Sequence, residues 1–305
     1  LLDDAPKFIK FALGENVKQS NWGDFNTTRF PQTRMGVEQV YYDAFYRAKY
    51  YFEEWEESKK KKKLFRRDLR LEALAEILNS ERHITCHSYV QSEINMLMKV
   101  ADSMGFKVNT FTHILEGYKL IPQMVQHGAG GSTFSDWWAY KYEVIDAVPQ
   151  NACMMNAGGV VTAINSDDAE MGRRLNQEAA KGVKYGGMSE QDAWRMVTLN
   201  PAKLLKVDNR MGSLKVGKDA DIVIWSDNPL SVNAICEQTF IDGILFFDIR
   251  RQEMLQNRNE KERMRIIALM LDAAKNGETP VSFIMKRQPL YHCDTEEHHT
   301  HNHGH

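Results

Sequence analysis

The chain has no apolar run near the length needed to cross a bilayer. It has no CxxC pair. Cys86, Cys153, Cys236 and Cys293 are scattered, so the disulfide framework of a small secreted domain is not expected. It has no excess of either charge: 39 Lys and Arg stand against 41 Asp and Glu, a formal net charge of -2. Bulk electrostatics therefore draws it neither to nucleic acid nor to acidic lipid. The first ten residues lack the n-region, h-region and cleavage site of a signal peptide. No repeat at solenoid spacing is visible. What remains is ordinary globular composition, 43% apolar and 26% charged over 305 residues. That length is enough for one large domain, or one domain plus a smaller one.

Along the chain, residues 8–13 (FIKFAL) read as a short strand ended by Gly14. Residues 15–36 form a polar loop. Residues 37–55 carry apolar and aromatic side chains at helical spacing, and the lysine run 59–63 reads as a solvated helix end. A second amphipathic helix covers 69–78 (LRLEALAEIL). Strand and helix then alternate: strands at 83–89 (HITCHSY), 107–113 (KVNTFTH), 129–134 and 160–165 (VVTAIN), helices at 93–104, 117–126 and 169–181. Ser189 caps one more helix. This rhythm predicts a parallel sheet with crossover helices, its strands apolar on both faces. Beyond Asn200-Pro201, residues 212–225 and a hairpin at 239–248 turning on Asp242-Gly243 predict a small antiparallel unit. A long charged helix (252–275) and a histidine-rich tail follow.

The chemistry-bearing residues stand at strand ends. His87 and His113 are each at the end of a strand segment, and Asp167 follows VVTAINS. In a parallel barrel the loops after the strands converge on one rim, so separation in sequence does not keep these groups apart. Two imidazoles and a carboxylate suit a divalent ion of the zinc type, and the carboxylate can also take a proton from water. Asp167 is preferred to Asp168 because it follows the strand more closely. The bland alternatives are a satisfied core histidine and a helix N-cap aspartate.

The stretch from His87 to Pro229 resembles the imidazolonepropionase-like and prolidase-like branch of the amidohydrolase superfamily. The resemblance rests on HSY, THILEGYK, INSDD and, most specifically, TLNPAKLL and GSLKVGKDADIVIW. It implies a TIM-type (β/α)8 barrel, N-terminally incomplete in this chain, plus part of a small β-sandwich. It divides the chain into residues 1–205 (strands four to eight of the barrel), 206–250 (a sandwich segment) and 251–305 (helix and tail). It makes His87 the strand-five ligand, His113 the strand-six ligand, and Asp167 the strand-eight ligand and general base. It also implies that Lys10, on strand four, is a carboxylated lysine bridging two metals, with Glu15 as the competing carboxylate.

The family's HxH motif of strand one has no counterpart before His87; HxH occurs only in the tail, from His299 to His305. The expectation is a fragment or processed chain that needs an N-terminal polypeptide to complete its barrel, with homo-oligomerisation also open. The expected activity is metal-dependent hydrolysis of an amide or other C–N bond in a small molecule, a cyclic amide or a dipeptide. Asp167 would move the proton and His113 would polarise the carbonyl. The alternative is a non-catalytic metal-binding protein or a scaffold without a working site. Tyr89, Arg29, Arg34 and Lys119 lie near the predicted rim, where they could position a substrate.

Overall fold

The computed structural model describes residues 4–18, 30–137 and 141–278. It divides into two compact units, Leu1–Asp248 and Ile249–His305. Strands β1 (Lys7–Ala12), β2 (Arg82–His87), β3 (Thr110–Thr112), β4 (Gly130–Thr133) and β5 (Thr162–Ile164) form one parallel sheet in chain order. Each strand is linked to the next by helical segments, as parallel pairing requires. The crossovers carry α1 (Glu15–Lys18), α2 (Arg34–Lys60) and α3 (Leu69–Leu78), then α4 (Gln91–Met104), α5 (Ile121–His127) and α6 (Asn151–Ala157). After β5 come α7 (Ala169–Gly172), α8 (Leu175–Gly186), α9 (Glu190–Arg195) and α10 (Leu199–Leu204). A three-stranded antiparallel sheet follows: β6 (Ile222–Trp225), β7 (Cys236–Ile241) and β8 (Ile244–Asp248). Asp242 and Gly243, both at positive φ, make the turn between β7 and β8, the backbone a two-residue type I′ hairpin needs. In the second unit, α11 (Ile249–Lys275) is a single helix. Among the described residues no helix is long and apolar enough to cross a membrane.

The sheet register decides which side chains share a face. Lys10, Thr85, Thr110 and Gly130 are aligned in one row. Ala12, His87, Thr112, Ser132 and Ala163 are aligned in the next. Side chains alternate along a strand, so these two rows look to the same side, and that side is mostly polar. The opposite face carries Ile9, Phe11, Ile84, Cys86 and Phe111, packed with Phe45, Leu97, Val100 and Phe106 from the helical layer. The strands are therefore not apolar on both faces, as the sequence reading expected. The alternation in KFIKFA, RHITCH and TFT separates a stability face from a polar one.

Local rules explain the helices. In α4, Ile94, Leu97, Met98 and Ala101 are buried at helical spacing, and Gly105 ends the helix at φ 82. Thr33, Asp68 and Ser189 cap α2, α3 and α9 with side-chain oxygens on first-turn amides. The expected helix at 169–181 is two: α7 stops at Gly172 and α8 restarts at Leu175. Lys59 and Lys60 form the exposed last turn of α2.

Candidate active site

His87 is the last residue of β2 and is 8% exposed. Its row points it to the polar face. His113 is one residue beyond β3, and simple alternation would send it to the apolar side with Phe111. It has φ 61, the left-handed region that non-glycine residues rarely occupy. That turn at the strand end swings the ring back to the mouth, where the His87 and His113 rings lie 4.9 Å apart at 62°. A backbone hydrogen bond from Ile114 N to Ser132 O holds the turn at 3.1 Å. Asn151, buried at the start of α6, donates from Nδ2 to Ile114 O (2.7 Å) and to Thr133 Oγ1 (3.0 Å). Its Oδ1 accepts from Tyr118 N at 2.9 Å.

Both imidazoles are held uncharged. Burial pushes His87 down to about 3, helped by the neighbouring His113, Lys10 and Lys141. Burial also lowers His113, with Lys10 acting in the same direction and Asp167 opposing it. These couplings place Lys10 and Asp167 within electrostatic reach of the pair. Lys10 is exposed and lies on the row next to His87. Asp167 is exposed beyond β5, while Asp168 is occupied as the N-cap of α7, its Oδ1 accepting from Glu170 N and Met171 N at 2.9 Å each. Neutral imidazoles are the form that a divalent cation binds. Among the described residues no three His, Cys, Asp or Glu side chains are grouped closely enough to hold a metal. The chain's own residues thus fit an ion as a pair of nitrogen donors, with more ligands needed to complete a shell.

Around the pair the wall is aromatic. Tyr89 meets His87 edge-on at 4.8 Å, and Phe134 stacks on His113 at 5.0 Å. Trp137 stacks in turn on Phe134 at 4.1 Å. Lys141 and Glu143 lie beside the residues that follow β1. Lys141 pairs with Glu15 (3.1 Å) and Glu143 (3.2 Å), and its ammonium sits 4.7 Å from the Tyr89 ring centroid. Glu143 Oε1 accepts from Glu15 N at 3.0 Å. Burial and the charge of Glu15 raise the Glu143 carboxyl, which Lys141 partly offsets. Gly14, at φ 82, makes room for this approach: a Cβ there would lie 2.5 Å from Glu143 Oε1.

Of the rim residues read from sequence, Tyr89 lies beside the pair. Arg34 and Lys18 are both committed to the buried Glu93, at 2.8 and 2.7 Å. Lys119 pairs with Asp146 and Glu116. Arg29 and the histidine tail lie outside the described residues. Lys141, Glu143, Asn165 and Ser132 were not read from sequence. A signal existed only for the last two, whose places follow from strand alternation once the register is known.

Residues 149–261 match the amidohydrolase family. The chain is similar to amidohydrolase tasK of Hapsidospora irregularis, 30% identical over 257 residues, which are 79% of this chain and 26% of that one. It is similar to imidazolonepropionase of Thermoplasma volcanium, 26% identical over 170 residues, 53% of this chain and 41% of that one. Its fold follows the crystal structure of an amidohydrolase from Thermotoga maritima with a TM-score of 0.73 at 29% identity, covering 80% of this chain and 63% of that one. The chain thus spans less than two thirds of the length of each of these relatives. Its parallel strands are laid out as in that solved relative over four fifths of the sequence, and the match to the amidohydrolase family is carried by residues 149–261.

Proposed function

We propose that this chain carries the C-terminal part of the active centre of a metal-dependent hydrolase that cleaves an amide or other C–N bond in a small molecule. The observation that supports it is the pair of uncharged imidazoles, His87 and His113, 4.9 Å apart at adjacent strand ends with Lys10 and Asp167 in electrostatic reach. His87 and His113 would hold the ion. Asp167 and Lys10, the latter as a carbamate formed with carbon dioxide, would add oxygen donors. Zinc suits this imidazole and carboxylate set. When bound, such an ion supplies Lewis acidity toward the carbonyl and makes a nearby water acidic. Asp167 takes the water's proton and returns it to the leaving nitrogen. Tyr89 and Phe134 exclude water from the reacting bond. A cyclic amide and a dipeptide both meet these demands. The remaining ligands, an HxH pair among them, come in this reading from a further polypeptide segment beside the open edge of β1.

The test is elemental analysis with a hydrolysis screen over cyclic amides and dipeptides, on the native polypeptide that contains this sequence. Bound zinc that falls together with turnover in His87→Asn and His113→Asn is the expected result. Metal retained in both variants, or full loading with no C–N substrate turned over, overturns the reading.

A further inference from the structure

His113 is gripped from the side away from His87. Asn165, the residue after β5, brings its amide to 2.8 Å from His113 Nδ1. Ser132, on β4, holds the same amide from its other end, with Oγ 2.6 Å from Asn165 Oδ1. The backbone fixes the frame, because Asn165 N donates to Thr133 O at 3.0 Å. Three successive strands therefore contribute one side chain each to a chain that ends on a ring nitrogen. Ser132 and Asn165 are both half-buried, so water competes for these bonds only in part.

We propose that Asn165, anchored by Ser132, is a positioning residue that occupies Nδ1 of His113 and leaves Nε2 as the nitrogen presented to a ligand. The inference rests on the reading of His113 as a metal ligand for its purpose, but the geometry stands without it. An amide suits this task because it has a donor and an acceptor on one rigid plane. With Nδ2 toward the ring, it donates to Nδ1, and the imidazole proton sits on Nε2. Turned by half a rotation, Oδ1 accepts from Nδ1–H, Ser132 Oγ accepts from Nδ2, and Nε2 carries the lone pair. The heavy atoms keep their places in both arrangements, so Asn165 can hold the ring in the empty and the loaded site alike. A carboxylate at position 165 accepts only, and it favours the arrangement with the lone pair on Nε2. An apolar side chain of similar size holds neither.

The experiment compares wild type, Asn165→Asp and Asn165→Leu at one fixed pH. Long-range proton–nitrogen NMR of the metal-free proteins reads the His113 tautomer, and competition titration reads zinc affinity. Asn165→Asp is expected to place the proton on Nδ1 and to bind zinc at least as tightly as wild type. Asn165→Leu is expected to give a tautomer mixture and to weaken zinc by about 10–100-fold, the usual effect of losing such a partner. If Asn165→Leu does not fold, Ser132→Ala takes its place with the same expectation for the tautomer. An unchanged His113 tautomer in all variants overturns the proposal, as does an equal loss of zinc in the Asp and Leu variants. If wild type binds no zinc through His113, the metal reading fails, and the tautomer measurement alone decides the role of Asn165.

Discussion

At the scale of single residues, two adjacent aspartates have different surroundings. Asp168 spends its carboxylate on the first amides of α7, while Asp167 acts on His113. Asp167→Asn is expected to leave the fold intact and remove most turnover, since an amide accepts no proton. Asp168→Ala is expected to cost about 0.5–2 kcal/mol of stability and leave most turnover. Kinetics and denaturant midpoints on both variants check the pair, and a reversed pattern would reassign the base. His127 gives a prediction of another kind. Its Nε2 accepts from Val108 N at 3.0 Å, and its Nδ1 faces Asp102 at 2.9 Å. Burial holds its pKa below the ordinary value despite Asp102. A depressed folded pKa means the unfolded chain takes the proton first. Its contribution is therefore whole above about pH 6.5 and drains away as pH falls below that. His87 has the same sign. His127→Gln should flatten the fall in denaturant midpoint between neutral and mildly acid buffer, and an unaltered slope would argue against it.

At the scale of elements, the site depends on contacts that bridge distant stretches of chain. Gly14 ends β1 in a left-handed conformation and lets Glu143 reach the first amide of α1. Gly14→Ala should cost about 1–2 kcal/mol from the backbone alone, plus the displacement of Glu143, and thermal unfolding would show it. The contrast with β3 is useful: Phe111, fully buried at the centre of the sheet, should cost about 3–5 kcal/mol as Phe111→Ala. Much of this layout was legible in the sequence. FIKFAL, HITCHSY and VVTAIN announced strands, each running one or two residues past the observed end. The strand-end positions of His87 and His113 followed from those assignments. The bond between Glu15 and Glu143 was not legible, since it joins positions 128 apart and nothing local marks Glu143 as its partner. The polar face is hidden in the sequence for a different reason: VVTAIN is nearly all apolar, so the alternation shows only in KFIKFA, RHITCH and TFT. The left-handed turn at His113 has no sequence signature, because histidine rarely adopts it.

At the scale of the whole molecule, the five-stranded sheet has β1 and β5 at its two edges. β3 is paired on both sides and β1 on one. Hydrogen exchange should therefore be slowest at Phe111 and Thr112 and faster along β1. A polypeptide that pairs with β1 would slow its exchange on binding, whereas a fully protected β1 in the chain by itself would count against such a partner. The two faces of this sheet also bear on how the protein can change over generations. Ile84 and Cys86 pack into the core, while Thr85 and His87, between and beside them, lie on the polar face. Codons under the two demands are interleaved along each strand. Substitutions on the polar rows therefore leave the apolar packing face untouched, while their immediate neighbours are held to apolar kinds by that packing. A lineage carrying this fold can vary the polar face one alternate position at a time without disturbing the packed one.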